Sequence, residues 1–485
     1  MKHSNTRIPQ GNASGLPSFR GPCSGARRRA GRLVRGLLCL SLLGGLGVGA
    51  CSWSRYDDLQ DNAPVLLLKK PDKLKDGFGI SLAFASTPEE GSRVLVTGAP
   101  YRSRGAAFSV VDNQDAKVDA IDTGFCDAQD GSNLCYMANS VAGIGLARAP
   151  GGTSGTILPL CFVLGVGEAA NGSGLLVRCQ DQTEYALGVP DGVKNALVDP
   201  VLQTGEGQAL YLAADKDDQA SVIAGAPAQT PPLAWFYPPD SMTPIELLPS
   251  ANDPSYGSAV ASLRVADGRV LAVGAPEENH VYLFHWKTGA TAASLVGCLG
   301  GPERFGRALA AGRVDAGDAT DELIVADGVN VHVFDGSKLA ELPAVATPSC
   351  SLASLPAATL LTSFGCGSDS SVTGCDSSDF GATLEVADLD GDGDGEVIVG
   401  APRMKVRDAD SGGAVLVYDA EGDRPFLLSD VLFLSSAEEG DRLGSSLAIG
   451  RTGGQEFVIA GAPGNEKTAL MFCSSFSSGL APRCD

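Results

Sequence analysis

The sequence predicts an all-β fold, a seven-bladed β-propeller with four antiparallel strands in each blade. Three observations predict it. A β-rich run that ends in Gly-Ala-Pro recurs along the 485-residue chain, and an aromatic or apolar residue followed by Gly stands upstream of most runs. Glycine is abundant, with 62 residues, whereas only 19% of the residues are charged. Many short strands joined by tight turns are typical of this composition.

The repeated unit can be followed through the chain. The Gly-Ala-Pro runs are Val94–Pro100, Val222–Pro227, Val270–Pro276, Val397–Pro402 and Val458–Pro463. Seven units are counted from the residues that open them, namely Phe78, Gly143, Glu206, Tyr256, Phe305, Phe380 and Leu443. A single four-stranded sheet cannot bury both of its faces, so the units are expected to stack. A closed ring would leave only short strand edges exposed.

Phe-Gly followed by Gly-Ala-Pro resembles the FG-GAP repeats that build the heads of integrin α chains and many bacterial surface proteins. The resemblance covers nearly all of residues 62–485 and implies a propeller in that range. The apolar segment Val65–Leu68 precedes the first unit and has no earlier blade to join. We therefore expect it to supply the outer strand of blade seven and to close the ring.

Residues 1–50 are predicted to be a signal peptide. A basic stretch, Arg27–Arg35, precedes an apolar run, Gly36–Ala50, whose length suits a signal h-region better than a membrane span. The run ends in Val48-Gly49-Ala50-Cys51, which resembles the lipobox of bacterial lipoproteins. An ordinary signal peptide followed by a chance cysteine is the alternative.

The lipobox resemblance implies that the mature chain begins at Cys51 and carries a lipid there. Residues 51–61 would then be a tether, and residues 62–485 would be the propeller. Ser52, in place of Asp, resembles the residue after the cysteine in lipoproteins of the outer membrane. The expected location is the outer membrane, on its periplasmic or its cell-surface side.

The mature chain is strongly acidic. Residues 1–50 hold eight Lys and Arg and no acid, so the remainder carries 28 basic and 57 acidic residues, a net charge of −29. Such a surface repels the phosphates of nucleic acids and the headgroups of anionic lipids, and it attracts divalent cations or basic partners. Solubility alone is the alternative reason for this acidity.

Ten cysteines lie beyond Cys51 and fall into neighbouring couples that are candidate disulfides. The couples are Cys126 with Cys135, Cys161 with Cys179, Cys298 with Cys350, Cys366 with Cys375, and Cys473 with Cys484. The second couple would stand face to face in a hairpin turning at Asn171-Gly172, where opposed Cα atoms are about 4.5–5.5 Å apart. The sequence leaves the connectivity open.

One motif indicates a metal ion. The segment Asp388–Glu396 fits the pattern D-x-D-x-D-G-x-x-[DE], with hard oxygen donors at alternating positions and Gly393 available for a sharp turn. An EF-hand is excluded because its twelfth position would be Val399, inside a β-run. One alternative is an acidic turn without metal. The other is a calcium ion that only stabilises the loop and takes no part in a reaction.

By resemblance to the calcium hairpins of integrins, five residues would bind Ca²⁺. Asp388, Asp390, Asp392 and Glu396 would bind through their carboxylates. Asp394 would bind through its backbone carbonyl. The fifth unit holds a weaker candidate set that is one residue out of step with this pattern. Its members are Asp315, Asp318, Asp321 and Glu322.

The sequence does not predict an enzyme. The mature chain holds three histidines, His280, His285 and His332, which are expected to be ordinary strand residues. It contains no G-x-S-x-G elbow and no glycine-rich phosphate loop. The aromatic cluster Trp235-Phe236-Tyr237 would be either a recognition surface or packing between blades.

The leading functional hypothesis is a calcium-stabilised, surface-anchored module that binds a protein or glycan, as in adhesion. It rests on the fold resemblance and the lipid anchor, and a shared fold is only associational evidence of function. Two alternatives remain at this point. They are a hydrolase or lyase of the cell envelope, and a structural or assembly component of the outer membrane.

Overall fold

The structure is a computed structural model, and its described residues belong to the larger of two compact units, Cys51–Asp485. It describes residues 65–68, 78–87, 91–97, 106–111, 117–121, 136–146, 160–167, 174–179, 184–187, 201–204 and, with short gaps, 221–473. Some predictions fall on residues outside this set: the leader 1–50, the tether 51–61 with Cys51, and the residues Cys126, Cys135, Asp318 and Cys484.

The described residues form an all-β structure of seven four-stranded antiparallel sheets. The first sheet contains β2 (Ser81–Thr87), β3 (Gly91–Thr97), β4 (Ala106–Val111) and β5 (Lys117–Ile121). The second contains β6 (Tyr136–Leu146), β7 (Leu160–Gly167), β8 (Gly174–Cys179) and β9 (Glu184–Leu187). The third contains β10 (Val201–Thr204), β11 (Val222–Ala226), β12 (Leu233–Tyr237) and β13 (Ile245–Leu247).

The remaining sheets follow in chain order. The fourth contains β14 (Ala259–Val265), β15 (Gly268–Ala275), β16 (His280–Lys287) and β17 (Ser294–Gly300). The fifth contains β18 (Ala308–Gly312), β19 (Glu322–Ala326), β20 (Asn330–Phe334) and β21 (Leu360–Gly365), with helix α1 (Gly336–Ala340) between its last two strands. The sixth contains β22 (Thr383–Ala387), β23 (Glu396–Ala401), β24 (Ala414–Asp419) and β25 (Leu427–Leu432). The seventh contains β26 (Ser446–Thr452), β27 (Gln455–Gly461) and β28 (Ala469–Cys473).

The fourth strand of the seventh sheet comes from the other end of the chain. It is β1 (Val65–Leu68), which pairs antiparallel with β28, so that Val65 stands opposite Phe472 and Leu68 opposite Ala469. The pairing expected of this segment is therefore present. In the other six sheets the four strands are consecutive in the sequence.

The first strands of the sheets contact one another in chain order. Strand β2 contacts β6, β6 contacts β10, and the series continues through β14, β18 and β22 to β26. Strand β26 also contacts β2, so the seventh sheet packs against the first. The rings of Phe84 and Phe457 meet edge to face in this last contact, with centroids 5.6 Å apart.

Close backbone approach explains why the two recurring motifs contain glycine. A Cβ atom on Gly274, in a Gly-Ala-Pro run, would lie 2.2 Å from the carbonyl oxygen of Gly306, which follows Phe305 at the start of the next unit. A Cβ on Gly461 would lie 2.1 Å from the carbonyl oxygen of Gly79. The seventh and first sheets thus approach as closely as the fourth and fifth do.

A polar contact repeats at the same interfaces. The Thr383 hydroxyl donates a hydrogen bond of 2.9 Å to the carbonyl of Gly444, from the sixth sheet to the seventh. The Ser446 hydroxyl donates one of 2.7 Å to the carbonyl of Gly79, from the seventh sheet to the first. Thr383 and Ser446 occupy matching places, since each pairs with the glycine of its own Gly-Ala-Pro run.

The core lies between neighbouring sheets. The fourth and fifth sheets share one apolar cluster, to which Leu263 and Val325 contribute. Similar clusters join the third sheet to the fourth, the fifth to the sixth, and the sixth to the seventh. Trp235 and Phe236 are fully buried. Their aromatic cluster is therefore packing between sheets and does not form an exposed recognition surface.

Two of the candidate disulfides are formed in the described residues. They join Cys298 to Cys350 and Cys366 to Cys375. The backbone register also places Cys161 opposite Cys179 in the hairpin of β7 and β8, as expected. Within the described part of the chain, no helix has the length and apolar character needed to cross a membrane.

Candidate metal centre

The acidic loop Asp388–Gly395 joins β22 to β23 at one end of the sixth sheet. Its glycines allow the chain to reverse tightly, because Gly391 and Gly393 have φ angles of 81° and 97°, where residues with a side chain are disfavoured. The Gly-Ala-Pro run of β23 ends at the opposite end of the same sheet. The loop and the Gly-Ala-Pro turn are therefore separated by the length of a strand.

Three carboxylates converge in this loop. Asp388, Asp390 and Asp392 each offer an oxygen, and these oxygens lie within 4.8 Å of one another. Each side chain also accepts a hydrogen bond from a backbone N–H a few residues further on, at 2.7, 3.1 and 2.9 Å respectively. The loop's own backbone thus fixes the alternating acids on one side, as the motif predicts.

Glu396 lies beside this group and below the surface. It is only 4% exposed, and its Oε2 accepts a hydrogen bond of 2.6 Å from the backbone N–H of Leu389. Burial raises the pKa of Glu396 to about 8, and the negative charge of Asp390 adds to the rise. Burial also raises the pKa of Asp390, with smaller contributions from the charges of Asp392 and Asp388.

These residues fit a hard divalent cation. The donors are carboxylate oxygens, which Ca²⁺ prefers. Burial, with a smaller contribution from neighbouring carboxylates, raises the pKa values of Glu396 and Asp390, and a bound cation would favour their ionised forms. The structure brings Asp388, Asp390 and Asp392 into one group and places Glu396 next to it. The predicted contribution of Asp394 is a backbone carbonyl.

Neighbouring sheets hold the loop in place. Glu456, at the start of β27 in the seventh sheet, accepts a hydrogen bond of 2.8 Å from the backbone N–H of Asp388. Arg313 of the fifth sheet donates a hydrogen bond of 2.9 Å to the carbonyl of Gly393, and its own carbonyl accepts one of 3.0 Å from Gly395. Neither Glu456 nor Arg313 was predicted from the sequence.

A comparison of the units could have identified Glu456. Asp321 occupies the matching place before β19 of the fifth sheet, and it also accepts a backbone hydrogen bond from the preceding sheet, 2.7 Å from Arg264. An acid directly ahead of the apolar run of the second strand is therefore the signal. It is a weak signal in the sequence because Gly395 stands at this place in the sixth sheet.

The candidate residues of the fifth sheet are arranged differently. Asp321 binds Arg264 through both carboxylate oxygens, since its Oδ1 lies 3.6 Å from the guanidinium. Glu322 is buried and accepts a hydrogen bond of 2.9 Å from the backbone N–H of Val314. Asp315 is exposed, and among the residues that the structure describes it does not gather with the other two into a group of three close ligands.

The described residues contain a second group of close ligand-type atoms, from His280, Cys298 and Cys350. The two cysteines are joined by a disulfide, so their sulfur atoms are not thiolate ligands. Asp388, Asp390 and Asp392 are therefore the group of free metal-binding atoms in this part of the chain.

The acidic loop lies in a segment that matches a known family of repeats. The family model for the FG-GAP repeat matches residues 380–418, which begin at the Phe-Gly pair and end in β24. Residues 380–418 are an FG-GAP repeat. This FG-GAP repeat contains the whole acidic loop and the Gly-Ala-Pro run that follows it. The resemblance predicted from the sequence is confirmed there.

The chain was also compared with solved structures and with curated proteins. A solved structure described as the crystal structure of BBS1N in complex with ARL6DN, soaked with lead, is 10% identical to the chain. The match covers 87% of this chain and 100% of that one, with a TM-score of 0.46. No curated protein matches the chain.

Proposed function

We propose that the chain is a binding module whose seven sheets are the blades of a closed β-propeller. The series of first-strand contacts that returns from β26 to β2 supports closure. So does the pairing of β1 with β28 inside the last sheet. A propeller scaffold holds its loops rigidly at the strand ends, where binding residues are usually found.

We further propose that the acidic loop of the FG-GAP repeat binds Ca²⁺. Asp388, Asp390, Asp392 and Glu396 would supply carboxylate oxygens, and Asp394 would supply its carbonyl. The bound ion would neutralise the crowded negative charge. The role of the chain is to hold these oxygens in place, through Glu456 on one side and Arg313 on the other. The proposed effect of the ion is stabilisation of the loop.

The binding surface that we propose lies at the other end of the sixth sheet. The turn from Ala401 to Gly413 alternates in burial, so that Met404 and Val406 are buried while Arg403, Lys405 and Arg407 are exposed. The buried residues anchor the turn to the apolar cluster of the fifth and sixth sheets. Three exposed cations thus follow one another on this turn, and Lys405 forms an ion pair there with Asp410 at 2.7 Å.

Further cations continue this set toward the fifth sheet. Arg307 forms an ion pair with Asp379, and the Nε of Arg403 lies 4.0 Å from the same carboxylate. The guanidinium of Arg307 is the main cause of the lowered pKa of Asp379, and the charges of Arg403 and Arg304 contribute. One acid therefore faces three arginines.

We call Arg403, Lys405, Arg407, Arg307 and Arg304 the cationic surface. The proposal rests on this surface, because it stands out on a mature chain with a net charge of −29. A basic surface attracts the acidic groups of a partner at short range, whereas the acidic remainder of the chain repels them, so the surface favours a partner whose acidic groups reach it directly. The partner that we propose is a protein or glycan bearing carboxylate or sulfate groups. The signal sequence and Cys51 would anchor the module to the outer membrane.

Binding to defined probes tests the proposal. The full mature chain, saturated with calcium, is passed over immobilised poly-glutamate and over immobilised polygalacturonate. The triple variant Arg403→Glu, Lys405→Glu, Arg407→Glu is expected to lose at least about ten-fold in affinity for the probe that binds, since each contact of opposite charge becomes a repulsion.

Lys287 provides the matched control. It is an exposed cation on β16, at the end of the fourth sheet that faces away from the Gly-Ala-Pro turns. Lys287→Glu is expected to bind like the unaltered chain. Equal binding by the triple variant, or retention of the chain on neither probe, would reject the cationic surface as the binding site. Palmitate labelling of cells, with Cys51→Ser as the unlabelled control, tests the anchor separately.

A further inference from the structure

The disulfide between Cys298 and Cys350 has ionisable side chains close to its sulfur atoms, unlike a disulfide that only crosslinks the fold. Cys298 lies on β17 at the outer side of the fourth sheet and is 2% exposed, whereas Cys350 is partly exposed. A ring nitrogen of His280 and both sulfur atoms lie within 4.8 Å of one another. An imidazole therefore stands beside a disulfide that joins a buried cysteine to a partly exposed one.

A buried carboxylate also lies near this imidazole. Asp253 is 2% exposed, and its Oδ2 lies 3.7 Å from His280 Nδ1. Its Oδ1 accepts hydrogen bonds of 3.2 Å from the backbone N–H and the hydroxyl of Ser255. In the described residues, Asp253 Oδ2 and His280 Nδ1 are buried atoms without a hydrogen-bond partner. The imidazole thus has a buried carboxylate and two sulfur atoms near it.

The other two histidines of the mature chain are paired differently. His285 is hydrogen-bonded through Nε2 to Asp267 at 2.9 Å. His332 is bonded through Nε2 to Asp327 at 3.0 Å and through Nδ1 to the Ser363 hydroxyl at 2.8 Å. These histidines act in structural hydrogen bonds. His280 lacks such a bond at Nδ1.

We propose that Cys298–Cys350 is a thiol–disulfide exchange site at which His280 is the proton donor and Asp253 is a positioning residue. The substrate class is a dithiol, such as a small dithiol or a protein with two vicinal cysteines. Asp253 would orient the imidazole toward the sulfur atoms. The proposal is independent of the binding function and of calcium.

The reaction begins at the partly exposed cysteine. A thiolate of the dithiol attacks Cys350 Sγ, a new S–S bond forms there, and the Cys298–Cys350 bond breaks. The electron pair leaves on Cys298 Sγ, which takes the proton of the His280 imidazolium. The second thiolate of the dithiol then displaces Cys350 Sγ, which leaves as a thiolate and takes a proton from solvent. The dithiol is oxidised to a disulfide, and the chain gains two thiols.

Burial explains why a proton donor is needed. Cys298 belongs to an apolar cluster that contains Tyr282 and Phe284, and a bare thiolate is disfavoured in such surroundings. Protonation by His280 during bond breaking removes that cost. Cys350, which is attacked first, is partly exposed.

Opening the disulfide would release one segment of the fifth sheet. Residues 336–352, which follow β20, include α1 and reach across to the outer strand of the fourth sheet. Beside the disulfide, a hydrogen bond of 2.8 Å from Val345 to the carbonyl of Leu295 makes this connection. Reduction is therefore expected to loosen this segment and to leave the sheets themselves intact.

The chain contains its own reference disulfide. Cys366–Cys375 likewise joins a buried cysteine to a partly buried one. The full mature chain is treated with dithiothreitol, samples are quenched with an alkylating reagent, and peptide mass spectrometry gives the opening rate of each disulfide. Cys298–Cys350 is expected to open faster than Cys366–Cys375.

His280→Gln is expected to slow the opening of Cys298–Cys350 by about 10²-fold, the lower end of what a positioned general acid contributes. Asp253→Asn should slow it by a smaller factor. His285→Gln, on the same strand, is the matched control and should leave both rates unchanged. Thermal unfolding of the oxidised variants shows whether each one is folded.

The pH profile separates proton donation from a packing effect. When the rate is divided by the thiolate concentration, it should rise for the unaltered chain as the pH falls, because the proposed donor is the protonated imidazole. The profile of His280→Gln should be flat. The other titratable groups near His280 are Asp253, Glu278 and Tyr282, so Glu278→Gln is measured alongside and should keep the rise.

Three results would overturn the proposal. One is equal opening rates of Cys298–Cys350 in folded His280→Gln and His285→Gln. Another is a normalised rate for the unaltered chain that does not change with pH. A folded His280→Gln variant that is slow but keeps the same rise would also overturn it, because the histidine would then affect access alone.

Discussion

Glu456 accepts a hydrogen bond from the backbone N–H of Asp388 across the interface between the seventh and sixth sheets, over 2.8 Å. Asp388 is the first residue of the acidic loop. The carboxylate that fixes the start of the loop therefore comes from a different sheet than the proposed calcium ligands. The proposed calcium binding would be coupled to the packing of these two sheets by this contact.

Glu456→Ala is expected to weaken calcium binding by about ten-fold, because the buried N–H of Asp388 loses its acceptor and the loop start is no longer fixed. Calorimetric titration of the calcium-free chain measures the affinity. Glu456→Gln keeps an acceptor oxygen and should bind calcium nearly as well as the unaltered chain. Equal affinities for the alanine variant and the unaltered chain would show that the contact does not position the loop.

Calcium is expected to stabilise the chain against thermal and chemical unfolding. At a calcium concentration about 100 times the dissociation constant, the gain is about 2.7 kcal/mol if only the folded state binds. Asp392→Asn should abolish the gain, since it removes one of the three converging carboxylates. Unfolding in urea with calcium and with a chelator measures it.

Asp315→Asn is the control for this measurement and also tests the fifth sheet. Asp315 is an exposed acid in the corresponding turn of that sheet. The variant should keep the full calcium-dependent gain. A gain that survives in Asp392→Asn and disappears in Asp315→Asn would move the calcium site to the fifth sheet.

Much of the strand arrangement could be predicted from the sequence because it depends on local patterns. The run that precedes Pro402 is β-branched and continuous, and the structure has β23 there. The converging acids of Asp388–Glu396 were likewise predictable, since their geometry is set by a short loop that bonds to itself.

The contacts between sheets were not predictable in the same way. Glu456 and Asp388 are 68 residues apart, and Asp321 and Arg264 are 57 apart. A hydrogen bond from a side chain to a distant backbone group leaves no periodic signal. His280 was expected to be an ordinary strand histidine, and its position near Asp253 and a disulfide depends on the packing of three separate segments.

The contact between the seventh and first sheets predicts a specific intolerance at Gly461. A Cβ atom there would lie 2.1 Å from the Gly79 carbonyl oxygen and 2.2 Å from the Ser446 hydroxyl. The substitution is therefore made in a Ser446→Ala background, which removes the hydroxyl and leaves Gly79 as the clash. Gly461→Ala is then expected to cost about 3 kcal/mol of stability, as for other overpacked interiors.

Two glycines calibrate this prediction. Gly274→Ala, which would meet the Gly306 carbonyl at 2.2 Å, should cost a similar amount. A Cβ atom on Gly367 would meet no other atom within 4 Å, so Gly367→Ala should be neutral. Urea unfolding compares the three. If Gly461→Ala behaved like Gly367→Ala, the seventh sheet would not pack against the first.

The buried carboxyl group of Asp430 is expected to make the stability of the chain depend on pH. This residue of β25 is 5% exposed, and burial raises its pKa to about 6, while a hydrogen bond from the Val431 N–H opposes the rise. The folded state therefore holds the proton more tightly than the unfolded state. The stability contributed by the protonated form is complete below about pH 4 and is lost as the pH rises through about 6.

Asp430→Asn has no proton to lose, so its stability should exceed that of the unaltered chain by up to about 3 kcal/mol at neutral pH, with little difference below about pH 4. Urea unfolding at a series of pH values, with calcium saturating throughout, measures the difference. Asp408→Asn replaces an exposed acid of the same sheet and should track the unaltered chain at every pH. A constant offset between Asp430→Asn and the unaltered chain across this range would show that Asp430 ionises as freely in the folded state as in the unfolded one.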